Sequence, residues 1–172
     1  MEDRQKVHIG GIKFSEELIQ VTVECETADN CSIYQLLQLL AEKSINIPFL
    51  CHSGVNGIPE SSFCVARSEL GKIQQILNFS SFKNEHVSII QSVGTLTLFP
   101  HRNSFKLLGL ILHFFGIHKF PVHSLSTSIS AIALNTDFVL LDEIASKLLT
   151  VLKLPENHAP FRSGFRLMQI EL

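Results

Sequence analysis

Charge is scarce in this sequence, and neither sign dominates. Charged residues make up 17% of the chain and the formal net charge is −2. A nucleic-acid-binding face needs clustered lysine and arginine to meet phosphates, and no such cluster is present. Long apolar runs are missing too. The longest, Leu107 to Ile117, is interrupted by His113 and falls short of the roughly 18–20 residues of a membrane span. The beginning, MEDRQKVHIGG, has no basic segment followed by an apolar one, so no secretory signal is expected. Cys25, Cys31, Cys51 and Cys64 lack CxxC spacing. Without an export signal, that usage predicts reduced thiols rather than a disulfide framework. These absences predict a cytoplasmic protein with no nucleic-acid or membrane partner.

Signatures of chemistry are equally thin. Cys51-His52 sets a thiol beside an imidazole, but adjacent strand residues point to opposite faces and cannot easily form an ion pair. A strand cysteine that packs and a strand-end histidine explain the pair better. Zinc could in principle gather Cys51 or His52 with Cys64, yet structural zinc favours close ligand pairs. His113 and His118, and His118 and His123, have histidine-pair spacing without accompanying cysteines or an HExxH motif. The segment IGGIKF lacks both phosphate-loop and dinucleotide patterns. Glu16-Glu17 and Asp142-Glu143 read as solvated faces rather than acid–base pairs. No catalytic residue, metal site or cofactor is expected.

What the chain does have is apolar residues, 45% of 172, enough for a real core in one ordinary or two small domains. It is also written twice. SIYQLLQLLAEKSINIPFL begins at Ser32 and SFKLLGLILHFFGIHKFPV at Ser104. At one fixed offset Leu36 meets Leu108, Leu40 meets Leu112, and Ile45 meets Ile117.

Each copy carries the same order of patterns. In the first, Ile19, Val21, Val23 and Cys25 alternate with polar residues as in a half-buried strand. Ser32 makes an N-cap, and Ile33, Leu36, Leu37 and Leu40 form one helical stripe. Ile45 to Cys51 predicts a strand, SGVNG a turn and Phe63 to Ala66 the return. Leu70, Ile73, Ile76 and Leu77 predict a second helix, and Val87 to Ile90 a closing strand. The second copy predicts a strand at Leu96–Phe99 and a helix capped by Asn103 or Ser104 that runs to Phe115. Strands near 119–125 and 129–134, a helix over 140–149 and a strand at 166–170 complete it.

The expected fold class is α+β: two ferredoxin-like βαββαβ units packed together, antiparallel sheets with helices on one face. The units span 14–91 and 92–172, with a strand at 6–13 that could complete the second. The helix from Ser104 carries two apolar stripes, Phe105, Leu108, Leu112 and Phe115 beside Leu107, Ile111 and Phe114. One sheet does not cover so wide a surface, which predicts an inter-domain or inter-subunit contact. A fully internal helix is the other reading.

Tandem units of this order without catalytic motifs resemble ACT domains, and the segments in sequence resemble the regulatory half of aspartokinase. KVHIGGIKFSEELIQVTVE is similar to the segment that introduces that half. LLQLLAEKSINIPFL resembles the ACT helix and its exit, L-A-x-x-x-I-N-I, and ESSFCVARSELGKIQQIL resembles the strand and helix that follow. HSLSTSISAIALN resembles ISTSEIRISVLI, with Ser126-Thr127-Ser128 on its STS. The resemblance covers nearly the whole chain in element order. It implies an amino-acid-sensing allosteric module of aspartate-family biosynthesis, with lysine or threonine as the usual effectors. It further implies an aspartokinase catalytic subunit or domain as partner and a homodimer. No kinase half, with its Lys-Phe-Gly-Gly motif, is seen. The chain is thus expected to be a separate regulatory subunit, the C-terminal half of a longer protein, or a diverged relative.

By the same resemblance the effector contacts fall on Ala28, Asp29, Asn30, Cys31 and Ser32, on His52 and Ser53, and on Ser126 and Thr127. An amino acid needs amide donors at a helix mouth for its carboxylate and an acceptor such as Asp29 for its ammonium. The loop departs from the family pattern, however. Asn30-Cys31 stands where the family has Pro-Gly, and Arg102-Asn103 takes that place in the second copy. A plain helix cap by Asp29 or Ser32 accounts for the same residues. Sensor and assembly module without effector therefore both remain open.

Overall fold

The computed structural model describes residues 6–25, 33–55, 58–78, 82, 86–100, 104–159 and 161. The chain divides into two compact units, Glu17–Val93 and Met1–Glu16 with Gly94–Leu172. The architecture is α+β, with antiparallel strand pairs and four helices.

In the unit 17–93 the elements are β3 (Leu18–Glu24), α1 (Ile33–Glu42), β4 (Phe49–Val55), β5 (Ile58–Ala66), α2 (Leu70–Leu77) and the first part of β6 (His86–Phe99). Strand order is β4-β5-β3-β6, the arrangement of a ferredoxin-like βαββαβ sheet. Apolar alternation on β3 and the period of α1 and α2 converge in one core. Val21, Val23, Leu36, Leu40, Phe63 and Ile76 lie in it, fully buried. The outward face of α1 is polar, with Gln35, Gln38 and Glu42 exposed and a Gln38–Glu42 hydrogen bond of 3.0 Å.

Glu17 is less solvated than the sequence suggests. Its carboxylate pairs with Arg67 at 3.0 Å and accepts from the Ser92 hydroxyl at 2.7 Å. The hairpin also differs from expectation. Pairing of β4 with β5 runs out to Val55↔Ile58, so Ser53 and Gly54 belong to the strand rather than to a turn. The thiols need a correction as well: Cys25 is disulfide-bonded, while Cys51 and Cys64 are in no disulfide. Sequence spacing does not constrain thiols that a fold brings within bonding distance.

The second unit contains β1 (Val7–His8), β2 (Gly11–Phe14), the rest of β6, α3 (Phe105–His118), β7 (Ser124–Thr127), β8 (Ile132–Asp137), α4 (Leu141–Leu148) and β9 (Leu152–Lys153). Its sheet runs β7-β8-β6, and β2 pairs antiparallel with β6 through Gly11↔Phe99 to Phe14↔Leu96. The N-terminal β2 thus takes the place beside the central strand that the closing strand takes in the unit 17–93. Next to it β1 pairs parallel with β9, Val7 with Leu152. The predicted strand at 166–170 lies outside the described residues.

Two strands predicted on either side of residue 92 are one, since β6 runs unbroken over 14 residues. Gly94 is required within it. A Cβ there would lie 2.4 Å from Leu141 Cδ1 and 3.2 Å from Phe138 Cδ2, so α4 packs where a side chain would stand. The core gathers Ile12, Leu96, Leu98, Ile111, Phe115, Leu134 and Ile144. Beneath it a buried polar chain runs from the Thr95 hydroxyl to Asn135 Oδ1 at 2.6 Å, and from Asn135 Nδ2 to the Ser124 oxygen at 2.8 Å. Among the described residues no helix is long and apolar enough to cross a membrane.

Candidate functional site

In the unit 17–93 the loop Ala28–Ser32, comprising Ala28, Asp29, Asn30, Cys31 and Ser32, lies outside the described residues. His52 and Ser53 are exposed on β4. Strand register sets His52 opposite Ser61, and its Nδ1 shares a 2.6 Å hydrogen bond with the Ser61 hydroxyl, whose residue is buried. The Tyr34 ring of α1 lies 6.3 Å from the imidazole, tilted by 51°. His52 therefore sits in the middle of β4, not at the strand end the sequence suggested, with one nitrogen engaged and its ring beside the start of α1. Cys51, opposite Ser62, points to the other face, so the two adjacent residues form no dyad.

Ser126 and Thr127 belong to the other unit, on β7 opposite Ala133 and Ile132. They lead into a tight turn in which the Ser128 amide donates to the Ala131 carbonyl at 2.8 Å and the Ala131 amide donates to Ser128 Oγ at 3.1 Å. The serines and threonine here close a hairpin, a role their side-chain hydrogen bonding suits.

A cleft of about 440 Å³ opens at the mouth of α3, lined by His8, Gly10, Pro100, Ser104, Leu107 and Pro155 among others. Ser104 caps the helix, its Oγ accepting from the Leu107 amide at 3.1 Å. The amides of Phe105 and Lys106 precede the first intrahelical acceptor, and with the helix dipole they favour an anion. Gly10 lets the β1–β2 link lie against this rim, since a Cβ there would stand 2.5 Å from Pro100 Cδ. Among the described residues no three His, Cys, Asp or Glu side chains gather as a metal site.

Neither a protein-family model nor a curated protein sequence matches the chain. Solved structures do. The regulatory subunit of aspartate kinase from Thermus thermophilus, in its ligand-free form, superposes with a TM-score of 0.71 at 10% identity, over 84% of this chain and 99% of that one. The chain has the fold of the aspartokinase regulatory region. A chain from a structure of aspartokinase alpha and beta subunits gives a TM-score of 0.68 at 19% identity, over 82% and 95%. Escherichia coli aspartokinase III in complex with lysine and aspartate gives 0.59 at 8% identity, over 88% of this chain and 35% of that one. These neighbours are regulatory subunits matched over nearly their whole length, or about a third of a complete kinase.

In the sequence repeat the two helix mouths correspond, Ser32 to Ser104. Sequence reading placed the effector contacts mainly at the first and did not see the cleft at the second. Its lining comes from the N-terminal strand, the end of β6, the start of α3 and the segment after β9. Only Ser104 as a cap and the Gly10-Gly11 pair signalled it in one dimension.

Proposed function

We infer that this chain is a non-catalytic, amino-acid-sensing regulatory module of the aspartokinase type. The observation that carries the reading is the superposition onto an isolated aspartate kinase regulatory subunit over 99% of that subunit's length. Lysine or threonine is the proposed effector, and an aspartokinase catalytic subunit or domain the proposed partner. The module acts as a homodimer whose geometry shifts on binding, because a ligand moves an equilibrium only by its differential affinity for the two states. Its proposed contacts are Ala28, Asp29, Asn30, Cys31, Ser32, His52 and Ser53 in one unit and Ser126 and Thr127 in the other. The cleft at Ser104 is the matching position beside the second helix.

Titration calorimetry and thermal shift against the twenty amino acids test this, since a ligand specific for the folded state raises stability with its concentration. Saturable binding of lysine or threonine, lost in Asp29→Ala, is the expected result. No response to any amino acid overturns the sensor. Loss of the family's Pro-Gly in both loops supports a second reading, an assembly module without effector. That reading expects copurification with a kinase chain and no amino-acid response. A cytoplasmic location goes with either role, whereas the Cys25 disulfide speaks for a less reducing surrounding. Alkylation in intact cells, which labels Cys25 only when it is reduced, decides between them.

A further inference from the structure

The outer face of α3 borders a second cleft, of about 590 Å³, which adjoins the one at Ser104 through Val7. Its helical wall is Lys106, Gly109, Leu110 and His113, and Val7 and Val151 stand opposite. The far wall is held by the Val7 amide, which donates to the Val151 carbonyl at 3.0 Å. This volume lies within the roughly 300–1,000 Å³ of small-molecule sites, which combine apolar walls with a few placed polar groups.

The charge here is one-sided. Lys106 and His113 lie seven residues apart on one helix face, about 10 Å along the axis. Neither has an acidic partner among the described residues, where the ion pairs join Arg67 to Glu17, Lys72 to Glu69, His123 to Asp137 and Lys147 to Glu143. The helix itself contains no aspartate or glutamate. A lysine ammonium at one end of an apolar trough and an imidazole at the other complement a molecule with an apolar body and an anionic head. A free lysine effector, cationic along its side chain, does not suit it.

We propose that this cleft binds an amphipathic monoanion, an aliphatic or aryl carboxylate, with Lys106 holding the head group and Gly109, Leu110, Val7 and Val151 the body. His113 donates a hydrogen bond at the far end. Gly109 lines the cleft, and an added Cβ there meets nothing within 4 Å. A larger side chain there projects into the cleft without disturbing the fold.

Decanoate titrated into the full chain, followed by calorimetry and by displacement of 8-anilinonaphthalene-1-sulfonate, tests the site. One saturable decanoate site per chain is expected, with decanol at least about tenfold weaker because it lacks the charge. Lys106→Gln should weaken decanoate by about tenfold or more. Gly109→Leu should abolish binding while leaving circular dichroism and the melting transition intact. Three results overturn the proposal: no saturable binding, equal affinity for decanol, or binding that survives Gly109→Leu. A dimer dissolved by Gly109→Leu, in a protein that ignores decanoate, makes the cleft a subunit contact and likewise overturns it. The amino-acid response, measured on the same samples, stays independent of every one of these outcomes.

Discussion

The two units follow one plan and finish it differently. In the unit 17–93 a single stretch of chain supplies all four strands of the sheet, and α1 turns a polar face outward. The other unit borrows its strand beside β6 from the N-terminus, and α3 leaves Phe105 88%, Leu112 45% and Ile117 60% exposed. Of the two apolar stripes on α3, the one through Leu107, Ile111 and Phe114 is buried in the core. The other stripe is split: Phe115 is buried and Leu108 packs against the core, while Phe105 and Leu112 are exposed. A helix whose outer face is charged or amide-rich is complete in water, whereas an exposed apolar face marks an interaction surface. The cores match while the surfaces differ: α1 exposes one large ring, Tyr34, among polar side chains, and α3 exposes Phe105, Leu112 and Ile117.

The largest way to break the comparison is to hollow each core at its matching helix. Leu36→Ala and Ile111→Ala both remove fully buried side chains and should each cost about 2–5 kcal/mol in chemical denaturation. Two separate transitions would show that the units melt independently. Next comes Gly94→Ala, which forces a methyl onto Leu141 and should cost about 1–3 kcal/mol; the unit 17–93 should keep its hydrogen-exchange protection. Removing the cap with Ser104→Ala should lower stability by about 1 kcal/mol and fray the start of α3 in exchange measurements. The smallest effect on folding is expected from Leu112→Gln, within about 0.5 kcal/mol, because the side chain is exposed. Sedimentation should nonetheless show weaker self-association for Leu112→Gln if α3 is a subunit contact. An unchanged monomer–dimer balance would take that role from its face.

Much of the fold was readable because periodicity reports faces. Ile33, Leu36 and Leu40 read as a core stripe and are buried; Ser104 read as a cap and accepts the Leu107 amide. The errors lie where polar residues interrupt an extended chain. Gln91-Ser92 looks like a break between strands, yet β6 passes through it because β3 and β2 pair with its successive parts. Backbone hydrogen bonds make that choice and carry little of it in side-chain type. The candidate site was less legible than the fold. His52 reads as a strand end but lies mid-strand, because β4 pairs on to Val55, and its bond to Ser61 depends on a register nine residues away. The clefts along α3 needed Val7 and Val151 brought together from opposite ends of the chain.

The alternation of β3 and the apolar stripes that bury α1, α2, α3 and α4 in their cores could be read from the residues alone, since each is written in local spacing. The sheet that β2 joins, the disulfide at Cys25 and the exposed apolar residues of α3 near the Lys106 cleft were settled only in three dimensions. Those outcomes depend on which distant segments meet, and the energy of that meeting belongs to backbone pairing and shape rather than to any short motif.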